Sequence, residues 1–313
     1  MTIRRRPSFL LLLLLLLGAL ALACGGGALP APPAPPPPKP RNAADIARDI
    51  VGGRVSALVH VGRLRGHALA ARLAALDPWG PVLDGTGIDP QRDFERAFVT
   101  APDTEHEDDM AFVAEHTLGE ARARAAVDAL VARSSPPGAW LEGLGVSAAR
   151  VTVRGRTRVV ALVEPNVLVV LPDRYARHAA RFAGTAGCPL PTGVEAVLAT
   201  ADDPSRTLRG PGVPELPPTL LRAEATLVPA ADGGADLHVE APSSSPEQAG
   251  ADAATLTDRG EKLTSIDVVS LLKLRLFEPV VFRAQGTTVT ADRHLTPNEL
   301  DRIESIVRAL LPK

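Results

Sequence analysis

The chain has 313 residues, a formal net charge of −2 and 45% hydrophobic side chains, enough for a packed core and too apolar for a disordered chain. Its near-neutral charge offers no electrostatic footprint for nucleic acid and no polybasic patch for anionic lipid. Aromatic residues make up 3% and include Trp79, Trp140 and Tyr175, too few for the stacking platforms that hold bases or sugars.

Arg4, Arg5 and Arg6 precede an apolar run over 9–23 that ends in small residues and Cys24. A basic start, a short apolar middle and small residues before a cut make a secretory signal. The run falls short of the ~20 residues a membrane span needs, so an uncleaved anchor is the weaker reading. Gly18-Ala19-Leu20-Ala21-Leu22-Ala23-Cys24-Gly25 resembles the signal of a bacterial lipoprotein. The resemblance implies that 1–23 is removed and that Cys24 becomes the acylated N-terminus. A plain secretory cut without acylation stays open. Arg5-Arg6 also suggests twin-arginine export, with the spacing to Phe9-Leu10 one residue off. Each buried methylene of a lipid chain stabilises attachment by ~0.8 kcal/mol, so a multiply acylated cysteine holds lastingly. Gly25 stands where aspartate retains some bacterial lipoproteins at the inner membrane, so the resemblance favours the outer one.

Residues 24–43 read as the lipidated cysteine followed by a tether. Gly25-Gly26-Gly27 is flexible, and 30–40 is mostly proline and favours polyproline II. At that rise its length is about 34 Å, enough to lift a body clear of lipid headgroups. A PxxP ligand is the competing reading of the segment.

About 270 residues remain, the size of one large domain or two ordinary ones. In chain order, the patterning predicts a strand over 55–61, a helix over 64–76, strands over 96–100 and 111–115, and a helix over 118–133. Strands over 150–153, 158–163 and 167–171 follow, with Pro165-Asn166 turning the last pair, then a helix over 174–182. Next come a strand over 194–200 and a hairpin over 221–227 and 236–240 across Asp232-Gly233-Gly234. Helices over 246–257 and 267–276, strands over 280–284 and 287–291, and a helix over 297–311 close the chain. Thr117 with Glu120, Ser245 with Gln248 and Thr296 with Glu299 have the spacing of capping boxes. Pro246 and Pro297 suit the first helical position.

The expected class is α+β, with antiparallel sheet and helices packed on one face. The order of elements suggests two degenerate β-α-β-β-α-β-β-α repeats, 44–188 and 189–313, forming two domains or one long sheet. Gly87-Ile88-Asp89-Pro90-x-x-Asp93 before a strand, with the export signal and duplicated halves, resembles uncharacterised secreted or lipid-anchored proteins of bacteria, myxobacteria especially. That resemblance implies no activity. Physically, Asp89-Pro90 reads as the cap and first residue of a short helix.

Chemistry is sparse. Asp103, Glu105, His106, Glu107, Asp108 and Asp109 could supply oxygen and imidazole ligands to a divalent cation. The ordinary reading is a solvated acidic turn, since the stretch lacks the glycine and distal glutamate of an EF-hand and the second histidine of H-E-x-x-H. His60 reads as a core or sheet-face residue. Glu115 and His116 end a strand, and His67, His178, His238 and His294 show no ligand spacing. With Cys24 acylated, Cys188 has no partner for a disulfide and lies in Gly187-Cys188-Pro189-Leu190-Pro191, a proline-bounded linker. Gly145-Val146-Ser147 is half of a nucleophile elbow in the wrong context, because a strand follows the serine. Gly85-Thr86-Gly87 lacks the third glycine of a dinucleotide site.

The sequence therefore points to a lipid-anchored envelope protein with a binding or scaffolding role, no cofactor and no catalytic site, its contacts being a membrane and an envelope partner rather than nucleic acid. A secreted hydrolase whose site assembles only in the fold and a carrier of an apolar ligand are the alternatives.

Overall fold

A computed structural model describes residues 41–75, 83–190, 192–210, 213–263, 265–269, 272–275 and 278–310. The leader, Cys24, most of the tether and Trp79 lie outside these residues.

The chain opens with α1 (Ala43–Val51), β1 (Val55–Val59), α2 (Val61–Leu64) and α3 (Ala68–Ala75). Then come α4 (Pro90–Asp93), β2 (Phe94–Ala101), β3 (Ala111–His116) and α5 (Glu120–Ala132). Four strands follow: β4 (Ala139–Leu141), β5 (Ser147–Val153), β6 (Arg156–Val163) and β7 (Val167–Pro172). A 3-10 helix over Asp173–Phe182 leads to β8 (Val197–Asp202), α6 (Pro204–Thr207), β9 (Arg222–Pro229) and β10 (Ala235–Pro242). The last elements are α7 (Pro246–Leu263), β11 (Ser265–Val269), β12 (Leu272–Arg275), β13 (Arg283–Gln285), β14 (Thr288–Leu295) and α8 (Pro297–Leu310).

Twelve strands form one open antiparallel sheet in the order β13-β14-β10-β9-β8-β1-β2-β3-β7-β6-β5-β4. The chain is thus α+β, as its patterning predicts. β1 and β8 meet where the two halves of the chain join, with five strands on one side of the seam and seven on the other, and Ala57 opposite Ala199. One face carries Ala57, Val99, Ala114, Val170, Leu227, Leu237 and Val289 and is covered by α5, α7 and α8 through Val127, Leu130, Ala253, Leu256 and Leu300. On the other face Leu58, Phe98, Val113, Val159 and Val169 meet α1 and the 3-10 helix through Ile46, Ile50, Ala179 and Phe182.

Helices therefore cover both faces of the first half, which corrects the expected single helical layer. The cause is visible in β3 and β7, where every residue is buried. Runs such as Val167-Leu168-Val169-Val170-Leu171 must lose water on both sides. β9 and β10 instead alternate buried and partly exposed residues, so only one face is apolar.

The structure departs from the patterning elsewhere too: the short α6 was not foreseen, and the strand expected over 280–284 begins only at Arg283, as β13. The segment expected as a helix over 267–276 contains the hairpin β11–β12, in keeping with its β-branched Ile266, Val268 and Val269 and the period-two Leu272-Lys273-Leu274-Arg275. The helix expected over 64–76 begins earlier and breaks at Gly66, which has φ +79°. α1 and the short β4 were not foreseen. Asn42 caps α1 by accepting a hydrogen bond from the Asp45 amide at 2.8 Å, and Gly52 ends it at φ +65°.

Of the three capping boxes only Thr296 with Glu299 is complete: Glu299 accepts from the Thr296 amide at 3.0 Å, and the Glu299 amide donates to the threonine hydroxyl at 3.3 Å. Ser245 accepts from the Gln248 amide, while the Gln248 side chain turns instead to Asp252. α5 has Gly119 at its N-cap and so no side-chain cap, and Thr117, two residues before it, donates its hydroxyl to the Asp93 carbonyl instead. Asp89 caps α4 as its sequence predicts, accepting from the Gln91 amide at 3.1 Å.

Candidate functional surface

β9, β10 and β14 turn their second face away from the helical layer. That face presents Glu224, Thr226, Asp236, His238, Glu240, Asp292 and His294, all exposed or half-exposed. Its counterpart in the first half lies under α1 and the 3-10 helix. Strand register orders the polar groups: Asp236 faces His294, and one rung on, His238 faces Asp292.

The His294 ring lies between two carboxylates, with Nδ1 at 2.7 Å from Asp236 and Nε2 at 2.9 Å from Asp232 in the β9–β10 turn. His238 Nδ1 lies 2.6 Å from Asp292 and Nε2 lies 3.4 Å from Glu240. Asp236 and Asp232 raise the His294 pKa; for His238, Asp292 and Glu240 outweigh the desolvation of the ring and raise it too. The sequence offers these histidines only as scattered residues. The signal is His238-x-Glu240 and Asp292-x-His294, polar groups two apart on strands, legible once the two strands are known to pair.

A second polar set is buried at the sheet end where β1, β2 and β3 meet the linker to β8. His60 is 3% exposed and its Nε2 has no hydrogen-bond partner. Burial, then the charges of Arg63 and Arg96, push its pKa down to about 4. Arg96 donates from Nε to Glu115 at 2.5 Å, and Glu115 accepts from the Cys188 amide at 2.9 Å. Cys188 is 5% exposed, and burial, reinforced by Glu115, pushes its thiol up to about 12. A thiol in that state is a packing group rather than a nucleophile. His116 is also buried, and desolvation lowers its pKa.

The acidic loop is organised by its own backbone and by arginines. Asp103 accepts from the amides of Glu105 and His106 at 2.8 and 2.9 Å and from the His106 ring at 2.7 Å. Asp108 lies 3.2 Å from Arg156, and Asp109 pairs with Arg174. Among the described residues no three His, Cys, Asp or Glu side chains form a group that could hold a metal ion. Ser147 opens β5 on the surface, and His67 bonds the Ala230 carbonyl at 2.8 Å.

No helix among the described residues is long and apolar enough to cross a membrane. No protein-family model, no curated protein and no solved structure matches this chain, and nothing in these comparisons indicates a catalytic function.

Proposed function

We propose that the protein is a lipid-anchored component of a bacterial envelope, held by acylated Cys24 in the outer membrane, and that it binds or scaffolds an envelope partner through the uncovered face of β9, β10 and β14. The observation carrying the binding role is the asymmetry of the sheet: one half has helices on both faces, and the other leaves a polar face to solvent. The anchor rests on Arg4, Arg5, Arg6, the apolar run and Cys24. The proline-rich stretch would act as the spacer between lipid and body.

The two halves, 44–188 and 189–313, are on this reading degenerate copies. In support, β1-β2-β3-β7-β6 and β8-β9-β10-β14-β13 run outward from the seam in the same order. α5 follows β3 as α7 follows β10, and both helices pack on the same face. Val55 opposite Ala201 mirrors Val59 opposite Val197 about the central Ala57–Ala199 pair, the register of a local two-fold.

Mass spectrometry of the mature N-terminus with detergent phase partition tests the anchor. An acylated Cys24 in the detergent phase is expected; a chain that begins elsewhere or stays in the aqueous phase overturns it. Photo-crosslinkers at Thr226, on the uncovered face, and at Ala254, exposed on α7, test the surface. Capture of an envelope component at Thr226 but not Ala254 is expected, and equal capture at both overturns the assignment.

A further inference from the structure

We propose that His238 and His294 form a proton-operated clasp that ties β14 to β10 and to the β9–β10 turn, and that sets the charge of the uncovered face. The geometry argues for it before any titration does. Each ring has a carboxylate at both nitrogens: Asp236 and Asp232 for His294, Asp292 and Glu240 for His238. Carboxylates only accept, so a ring that bonds both must donate from both nitrogens and is an imidazolium. A neutral ring turns one lone pair towards an anion and loses that contact.

Among the described residues the nearest cation on another element is Arg72 of α3, which bonds the Gly233 and Pro297 carbonyls at 3.4 and 3.3 Å and is itself paired with Asp301 at 2.8 Å. On β9 the residue opposite His238 is Thr226, and Glu224 beyond it is paired with Arg222 at 3.2 Å. Beyond His294 the chain enters α8, whose Glu299 is paired with Arg293. The two rungs are reciprocal, acid on β10 against histidine on β14 and then histidine on β10 against acid on β14. One deprotonation therefore weakens one rung, and two leave Asp232, Asp236, Glu240 and Asp292 facing one another across neutral rings.

Both histidines are raised above their ordinary pKa. The clasp is closed below about pH 6.5, where the unfolded imidazole is also charged, and opens as pH rises through the raised folded values. Opening makes the uncovered face two charges more negative. The inference stands on side-chain geometry and is independent of the binding role proposed above.

Long-range 1H–15N NMR of both imidazoles over a pH titration, with amide protection factors for β14, tests it on the full chain. Both rings should titrate above pH 6.5, and protection of those amides over 291–295 that bond to β10 should fall several-fold across that titration. In His238→Gln/His294→Gln the protection should no longer vary with pH. Should that variant not fold, Asp236→Asn/Asp292→Asn, which leaves only Asp232 and Glu240 at the rings, should move both titrations down from their wild-type positions. Either ring titrating at or below 6.5, or protection indifferent to its charge, overturns the clasp.

Discussion

Arg122 reaches from α5 to the carboxylate of Asp93, placing its two terminal nitrogens 3.2 and 2.9 Å from the two oxygens. Arg92 holds the same group from the other side with two bonds of 2.9 Å, and the Asp89 amide adds a third donor at 2.8 Å. The Asp93 side chain is 3% exposed. The motif Asp89-Pro90-x-x-Asp93 is thus a structural knot joining α4, β2 and α5.

Asp93→Asn should destabilise the protein by about 1–3 kcal/mol, because it removes charge-assisted bonds from a buried acceptor. Arg92, then Arg122 and the Asp89 amide, hold the carboxyl far below its ordinary pKa despite its burial. Its folded pKa is depressed, so its contribution is present above about pH 4 and fades as pH falls below that. Urea denaturation of wild type and variant at pH 7 and pH 3 should show the difference between them shrinking at the lower pH.

His60 carries a term of the same direction at higher pH. Its pKa is about 4 when folded against 6.5 for the free side chain. The unfolded chain therefore takes up a proton that the folded chain refuses, and stability drops as pH falls from 6.5 towards 4. The loss at pH 4 is roughly 2–4 kcal/mol from one buried ring. His60→Gln should flatten the stability profile of wild type over this window, as read by denaturant midpoints at pH 7, 5.5 and 4. A profile of unchanged slope would count against the burial of a neutral imidazole here.

The sequence disclosed these groups unevenly, for physical reasons. Strands with β-branched runs, such as 158–163 and 167–171, were legible because burial on one or both faces leaves a periodic mark. The Thr296 and Glu299 box was legible because both partners are local. Thr117 misled because the helix starts two residues later, which leaves Gly119 at the N-cap and Thr117 tied to the distant Asp93 carbonyl. The rungs of His238 and His294 depend on pairing between strands more than fifty residues apart, and no local spacing encodes such a register. α1 was hidden by its place beside the proline tether, although Asn42 and Asp45 carried a cap signal.

Cys188 should resist modification. Its thiol is pushed up to about 12 by burial and by Glu115, so thiolate is scarce at pH 8. A disulfide reagent such as dithiobis-nitrobenzoate should leave it unlabelled in the folded chain lacking the leader and Cys24, and should label it fully in guanidinium. Fast labelling without denaturant would show that the linker opens and exposes Cys188 in the native state.

Gly187 tests how tightly this linker is fitted. A Cβ there would sit 2.3 Å from Cγ and Oε1 of Glu115. Glu115 cannot swing aside freely, because Arg96 and the Cys188 amide hold its two oxygens. The Gly187 carbonyl also accepts from the Ala44 amide at 3.3 Å, so the backbone is pinned against α1. Gly187→Ala should therefore cost about 1–3 kcal/mol through overpacking and a broken Glu115 contact. The double change Gly187→Ala/Glu115→Ala removes the clash but strands Arg96, so it should be no more stable than Glu115→Ala alone by more than a few tenths of a kcal/mol. Thermal melts of the three variants decide the matter: if Gly187→Ala melts like wild type, Glu115 is not fixed where these distances put it.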